Sequence, residues 1–160
     1  MDNSGSKDGN NSSHHTSRKK RSGQKDIKPF KTKPIADFFP ETTILFADIR
    51  GFTAWSSSRE PTQVFILLET LYNAFDKVAN ARGVFKVETI GDCYVAVAGL
   101  PNPRKDHAVV MCRFAQDCLN KSRKLVMELE HELGPGTSEL GMRFGLHSGA
   151  GERSKLCSIC

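Results

Sequence analysis

From Thr42 to Ile49 the chain is a dense run of β-branched, aromatic and aliphatic residues ending at Arg50-Gly51, the mark of a buried strand followed by a turn. Phe52 to Ser58 is more polar and reads as a short connector. Pro61 suits the first turn of a helix. Val64, Leu67, Leu68, Leu71, Phe75 and Val78 then recur at helical spacing, one apolar face that ends where Gly83 can close the helix. Alternation takes over next. Val84 to Ile90 is a second strand, with Val84, Lys86, Glu88 and Ile90 on one face and Phe85, Val87 and Thr89 on the other. Gly91-Asp92 makes a tight hairpin turn, and Cys93 to Leu100 is a third strand that Pro101 and Pro103 break. Asp106 caps a long helix to about Leu133, with Ala108, Met111, Ala115, Cys118, Leu125 and Leu129 on its apolar face and Gly134-Pro135-Gly136 at its end. Leu140, Met142, Phe144 and Leu146 mark a fourth strand up to His147. Ser148 to Gly151 reads as a loop, and residues 152–160 show no periodicity.

The order βαββαβ predicts an α+β fold, a ferredoxin-like antiparallel sheet with its helices on one face. In that topology the first strand lies beside the third, so its end meets the Gly91-Asp92 hairpin. Residues 1–40 are rich in Ser, Asn, Gly and Lys and read as a disordered basic tail. Residues 41–149 form the domain, and 150–160 an irregular end.

Charge sharpens this division. Residues 1–40 hold nine Lys/Arg against four Asp/Glu, whereas the remainder holds fourteen of each. The high isoelectric point belongs to the tail. A neutral core without basic-aromatic strands argues against nucleic acid as a partner. Within the tail, Arg18-Lys19-Lys20-Arg21 reads as a solvated linker before it reads as a nuclear or lipid address. No apolar run reaches the roughly 18–20 residues of a membrane span, and the N-terminus lacks an apolar signal region. Five cysteines, three of them in periodic segments, suit a reduced, intracellular and cytoplasmic setting. The terminal Cys157-Ser158-Ile159-Cys160 lacks the partners that a zinc or redox site needs.

Asp48 and Asp92 stand 44 residues apart, each at a strand end beside a glycine-bearing turn. Two nearby carboxylates repel unless a cation lies between them. Two Mg²⁺ or Mn²⁺ ions held by this pair and a backbone carbonyl would solve that and suit phosphoryl transfer. Gly51, Phe52 and Thr53 offer backbone N–H groups for phosphates. The alternative is a pair of turn aspartates that only close hairpins. Trp55, in the connector, is placed either to hold that loop over the carboxylate edge or to meet a partner. His107 and His147 read as packing residues.

Phe46-Ala47-Asp48-Ile49-Arg50-Gly51-Phe52-Thr53 resembles the first metal-binding motif of the class III nucleotidyl cyclases. Lys86-Val87-Glu88-Thr89-Ile90-Gly91-Asp92-Cys93-Tyr94 with Gly99-Leu100-Pro101 resembles the second, and Arg143 to Gly149 resembles the strand after the second long helix. The resemblance implies that Asp48, Asp92 and the carbonyl of Ile49 bind the metals. It also implies attack of a ribose 3′-oxygen on the α-phosphorus with release of pyrophosphate. The position of Glu88 reads the base. Guanine offers N1–H and an amino group to a carboxylate, whereas adenine offers an acceptor, so Glu88 favours GTP over ATP. Gly91 to Tyr94 and Asp106 to Val109 also resemble adenylyl cyclases, which keeps ATP as the alternative. The family builds its active site across a two-fold dimer: one protomer supplies the aspartates, and the other a second base contact, an Asn and an Arg. The partner is then a second copy or another cyclase domain. After Gly149 this sequence departs from the family pattern, with no Asn–Arg pair at helical spacing. The expectation is a C-terminally truncated domain, inactive or nearly so alone, or a dimerisation module for a longer relative.

Overall fold

A computed structural model describes residues 36–154. The elements run β1 (Ala36–Arg50), α1 (Phe52–Ser56), α2 (Pro61–Arg82), β2 (Phe85–Ile90), β3 (Cys93–Ala98), α3 (His107–Leu133) and β4 (Gly141–Ser154). The four strands form one antiparallel sheet in the order β2-β3-β1-β4. This is the expected ferredoxin-like α+β arrangement, with β1 beside β3. The tail motifs and the terminal cysteine pair lie outside the described residues.

Strand β1 is longer than its hydrophobic run. It pairs with β4 from Arg50↔Gly141 to Ala36↔Ser154, with an irregularity between Phe39 and Thr42. Pro40 falls in that gap, where a residue without an N–H interrupts the ladder least. The expected loop at Ser148–Gly151 is instead strand: Ser148, Gly149 and Gly151 pair with Thr43, Thr42 and Phe39. Backbone pairing carries this stretch, so side-chain alternation gave no sign of it. The expected tail likewise ends earlier than residue 40, because Ala36 to Pro40 belong to β1.

One face of the sheet is covered by α2 and α3. Leu45, Ala47 and Ile49 of β1 and Tyr94, Ala96 and Ala98 of β3 meet Leu67, Leu71 and Phe75 of α2 and Met111, Phe114 and Cys118 of α3. The alanines on the strands leave room for the large helical side chains. Tyr94 is fully buried and lies 5.6 Å, ring to ring, from both Tyr72 and Phe75. Its hydroxyl donates to Asp76 Oδ1 at 2.8 Å, and Lys86 Nζ donates to Asp76 Oδ2 at 2.8 Å, tying α2 to the β2–β3 hairpin. Thr43 Oγ1 joins His107 Nδ1 at 2.7 Å and Ser148 Oγ at 2.8 Å, linking β1, α3 and β4.

Helix α2 starts as Pro61 suggested, behind a capping box formed by Glu60 and Gln63, and ends at Gly83 in the left-handed conformation. Helix α3 starts after Asp106, but the expected side-chain cap is not made. Arg104 takes both Asp106 oxygens, at 2.8 and 2.9 Å, and the charge pair outcompetes the cap.

Gly99 has φ +98°, and a Cβ there would lie 2.3 Å from the Glu41 carbonyl oxygen. Gly99→Ala is expected to cost at least about 1–3 kcal/mol from backbone strain alone. Urea denaturation measures this, and an unchanged midpoint would contradict the close approach.

Cys118 is buried on α3, and burial, aided by Asp117, pushes its thiol up to about 12 from 9.0. The folded protein therefore keeps a proton that the unfolded chain releases above about pH 9, so this group's contribution to stability is lost as pH rises from about 9 to 12. At pH 8 the exposed Cys112 should alkylate quickly and Cys118 only on unfolding. Comparable labelling of both in native protein would show that α3 is not packed as described.

Candidate active site

The alternation of β1 separates two roles. Residues 43, 45, 47 and 49 face the helices, so Ile44, Phe46, Asp48 and Arg50 fall on the open face. Asp48 is opposite Cys93 of β3 and Arg143 of β4. Asp92 follows Gly91 (φ +61°) in the hairpin closed by the Ile90↔Cys93 pair. Cys93 therefore adjoins both aspartates, by pairing and by sequence. Its thiol is pushed above its usual range first by burial and then by the charges of Asp48 and Asp92. The Tyr72 hydroxyl, buried beneath them without a hydrogen-bond partner, is raised by burial and then by Asp92, Cys93 and Asp48. The two carboxylates thus act on the same two neighbours.

Glu88 reaches the open face by an irregularity that alternation does not foretell. Lys86 pairs with Ala96, but Glu88 pairs with Val95, leaving Val87 as an extra residue. This bulge reverses the expected grouping. Lys86 turns to the helix face, where it meets Asp76, while Glu88 and Ile90 turn to the face of Asp48. Glu88, Val95, Phe46 and Gly145 form one cross-sheet row, and Ile90, Cys93, Asp48 and Arg143 form the next. Glu88 is exposed. Two strand spacings of about 4.8 Å and one two-residue step of about 6.7 Å separate its backbone from that of Asp48, a separation of the size of a nucleotide.

Gly51 is the N-cap of α1 with φ +88°, and Phe52 and Thr53 begin that helix. The connector is thus helical for a single turn, so it contributes N–H donors but little dipole. The Ile49 side chain is buried under the sheet, leaving only its backbone on the candidate site. Trp55 is buried in the core and donates from Nε1 to Thr137 Oγ1 at 3.1 Å, so it anchors α1 rather than offering its ring to a partner.

The motif pattern alone gives Arg143 no role, yet it makes the main contact at Asp48. Its Nε donates to Oδ1 and its Nη2 to Oδ2, both at 2.7 Å. Their opposition across β1 and β4 is visible only once the register is known. The side chains are 65% and 39% exposed, so the pair is open to exchange with solvent and ions. Asp48 in turn holds the guanidinium above its usual pKa through these hydrogen bonds. A bidentate cation on both Asp48 oxygens shows that this place accepts positive charge. Oxygen ligands of this kind suit Mg²⁺ and Mn²⁺. Among the described residues no group of three His, Cys, Asp or Glu side chains is placed to hold a metal alone. Backbone and substrate oxygens would complete the ligand set.

Residues 36–152 match the family model of the adenylate and guanylate cyclase catalytic domain. The receptor-type guanylate cyclase gcy-28 of Caenorhabditis elegans is 43% identical over 116 residues, covering 72% of this chain and 9% of that protein. An adenylate cyclase of Mycobacterium tuberculosis is 37% identical over 115 residues, covering 72% of this chain and 24% of that protein. A non-canonical dimeric guanylyl cyclase domain of the RhoGC fusion protein from the aquatic fungus Blastocladiella emersonii aligns with a TM-score of 0.60 at 35% identity, over 73% of this chain and 61% of that one. The chain belongs to the class III adenylyl/guanylyl cyclase catalytic-domain family. It spans a small part of the curated relatives it matches. No helix among the described residues is long and apolar enough to cross a membrane.

The Asp48–Arg143 contact generates a test that needs no turnover. Arg143→Gln should tighten Mn²⁺ binding in the absence of nucleotide by several fold, because the metal no longer competes with a guanidinium. Electron paramagnetic resonance of free Mn²⁺ reads this directly. Equal affinity in the variant and the parent would show that the ion pair does not compete with the metal.

Proposed function

We propose that this domain binds GTP with two Mg²⁺ or Mn²⁺ ions and supplies the metal half of a guanylyl cyclase site. The observation that carries the reading is the placement of Glu88 and Asp48 on one face of the sheet, with Asp92 in the adjoining hairpin, by the bulge at Val87. Asp48, Asp92 and the Ile49 carbonyl would hold the ions, which would supply Lewis-acid stabilisation of the ribose 3′-oxygen and of the triphosphate charge. In the reaction the 3′-oxygen bonds to the α-phosphorus, its proton passes to solvent water, and the bond from the α-phosphorus to the bridging oxygen breaks to release pyrophosphate. The backbone N–H groups of Gly51, Phe52 and Thr53 receive phosphate oxygens. A metal on Asp48 would displace the Arg143 guanidinium, which would then be free to pair with a phosphate oxygen.

Glu88 accepts from guanine N1–H and the exocyclic amine. Adenine would set a ring acceptor against the carboxylate, a mismatch that leaves polar groups unpaired. The matched relatives include cyclases named for both nucleotides, so the base preference rests on Glu88. The partner is a second copy or a related cyclase domain, meeting the open face of the sheet. Phe46 and Ile90 are 50% and 60% exposed there, apolar surface that association would cover.

Calorimetric titration with Mn²⁺·GTP and Mn²⁺·ATP tests the reading. GTP should bind more tightly than ATP, Asp92→Ala should weaken binding at least tenfold, and Glu88→Lys should remove the preference. Equal binding of the two nucleotides by the parent chain would remove the role of Glu88. Unchanged binding by Asp92→Ala would remove the metal site. Cyclic GMP formation, measured alone and with a longer cyclase domain added, then separates a self-sufficient enzyme from a half-site that needs its partner.

A further inference from the structure

A cavity lies beyond the end of β1, between α1, α3 and the α3–β4 turn. Its volume is about 1080 Å³. Three guanidinium groups line it, from Arg50, Arg59 and Arg123, against one carboxylate, Glu139. Asp48, Asp92 and Glu88 are not part of its wall. Trp55 and Met142 in the lining belong to the helix side of the sheet, and Arg50 and Gly51 reach the cleft from the end of β1.

Two of the three arginines are uncommitted. Among the described residues Arg50 and Arg123 make no hydrogen bond or ion pair, and both are exposed. Arg59 is held in place. Its guanidinium sits 5.2 Å above the Trp55 ring and donates from Nη2 to the Pro135 carbonyl, while its Nε is buried with no hydrogen-bond partner. Trp55 is tied to Thr137, and Thr137 Oγ1 donates to the Gly134 carbonyl at 2.7 Å. One wall is thus pre-formed. Ser58 and Ser138 add hydroxyls to the lining. Three cations sharing one cavity repel one another, and a multivalent anion removes that repulsion while matching the forked donors of arginine. The volume exceeds what a lone orthophosphate fills and is that of a small-molecule pocket.

We propose that this cleft is a second, metal-independent binding site for a nucleotide-sized polyphosphate anion. Its occupancy bears on the α3–β4 turn and on Arg50, two residues from Asp48. The cleft shares Gly51 with the phosphate-binding turn of the proposed half-site but contains none of Asp48, Ile49, Glu88 or Asp92, so binding in EDTA and in Asp92→Ala distinguishes the two sites.

Trp55 is the one tryptophan of the chain and lines the cleft, so its fluorescence reports occupancy. The full chain is titrated in EDTA with tripolyphosphate, pyrophosphate, GTP and sulfate, with calorimetry in parallel. Saturable binding of tripolyphosphate is expected, weakened at least tenfold by Arg123→Glu and by Arg50→Ala and unaffected by Asp92→Ala. GTP binding more tightly than tripolyphosphate would identify a nucleotide as the ligand, and equal affinities would identify the phosphate chain itself. Absence of saturable binding, or binding lost in Asp92→Ala but kept in Arg123→Glu, overturns the proposal. Sulfate as effective as tripolyphosphate would reduce the cleft to an adventitious ion only. Circular dichroism confirms that each variant is folded. Since the charge changes are at exposed positions, retention of the fold is expected.

Discussion

The register of β1 is the constraint on which the rest depends. With a side-chain period of two, Leu45, Ala47 and Ile49 enter the core while Phe46 and Asp48 face away from it. A slip of one residue would carry Asp48 under the helices and expose the apolar set. Burying an unpaired carboxylate there would cost several kcal/mol. The hydrophobic effect that seats three side chains in the core therefore also fixes the height and direction of the carboxylate. The central place of β1, with β3 on one side and β4 on the other, leaves little freedom for its backbone. The neighbours brought to Asp48, Cys93 and Arg143, follow from the same pairing.

Electrostatics on the open face run against the packing. Asp48 and Asp92 both discourage ionisation of Cys93, and they act on a buried Tyr72 hydroxyl that has no partner. Negative charge is gathered where the backbone is rigid, and one cation, Arg143, answers it. This pair is exposed enough to exchange. The arrangement stabilises the fold little and keeps the carboxylate available, a combination suited to binding a mobile cation and poorly suited to a structural role.

Much of this was legible in the sequence. Elements with a strong period were placed well, because buried faces repeat: α2 from Pro61 to the Gly83 cap, the Gly91-Asp92 hairpin, and the core run of β1. What escaped notice has physical causes. The bulge at Val87 is a backbone event, and strict alternation groups Glu88 with Lys86, whereas the register divides them. The continuation of β4 through Gly149-Ala150-Gly151 rests on main-chain pairing with no apolar signature. The capping role of Asp106 is not taken up, because both of its carboxylate oxygens pair with Arg104, two residues away. The anchoring of Trp55 is not fixed by its own segment, since its partner Thr137 lies 82 residues further on. The cyclase motifs pointed to the candidate residues; their meeting depended on pairing that no single segment encodes.

The β2–β3 hairpin links base reading to metal binding in the proposed mechanism. Glu88 and Asp92 sit four residues apart on it, one on the strand and one in the turn. Between the bulge and the turn, any rotation that moves Glu88 relative to the sheet must also shift the hairpin tip. Lys86 and Tyr94 oppose such rotation through Asp76 of α2, directly beneath the hairpin. The Lys86 that the bulge sends to the helix face ties the hairpin to α2, and the same bulge delivers Glu88 to the open face. A change in Asp76 would not remove a ligand or a base contact, yet it would loosen both together. In the proposed reading, substrate choice and metal affinity are coupled through Asp76 of α2, a side chain that is neither a metal ligand nor a base contact.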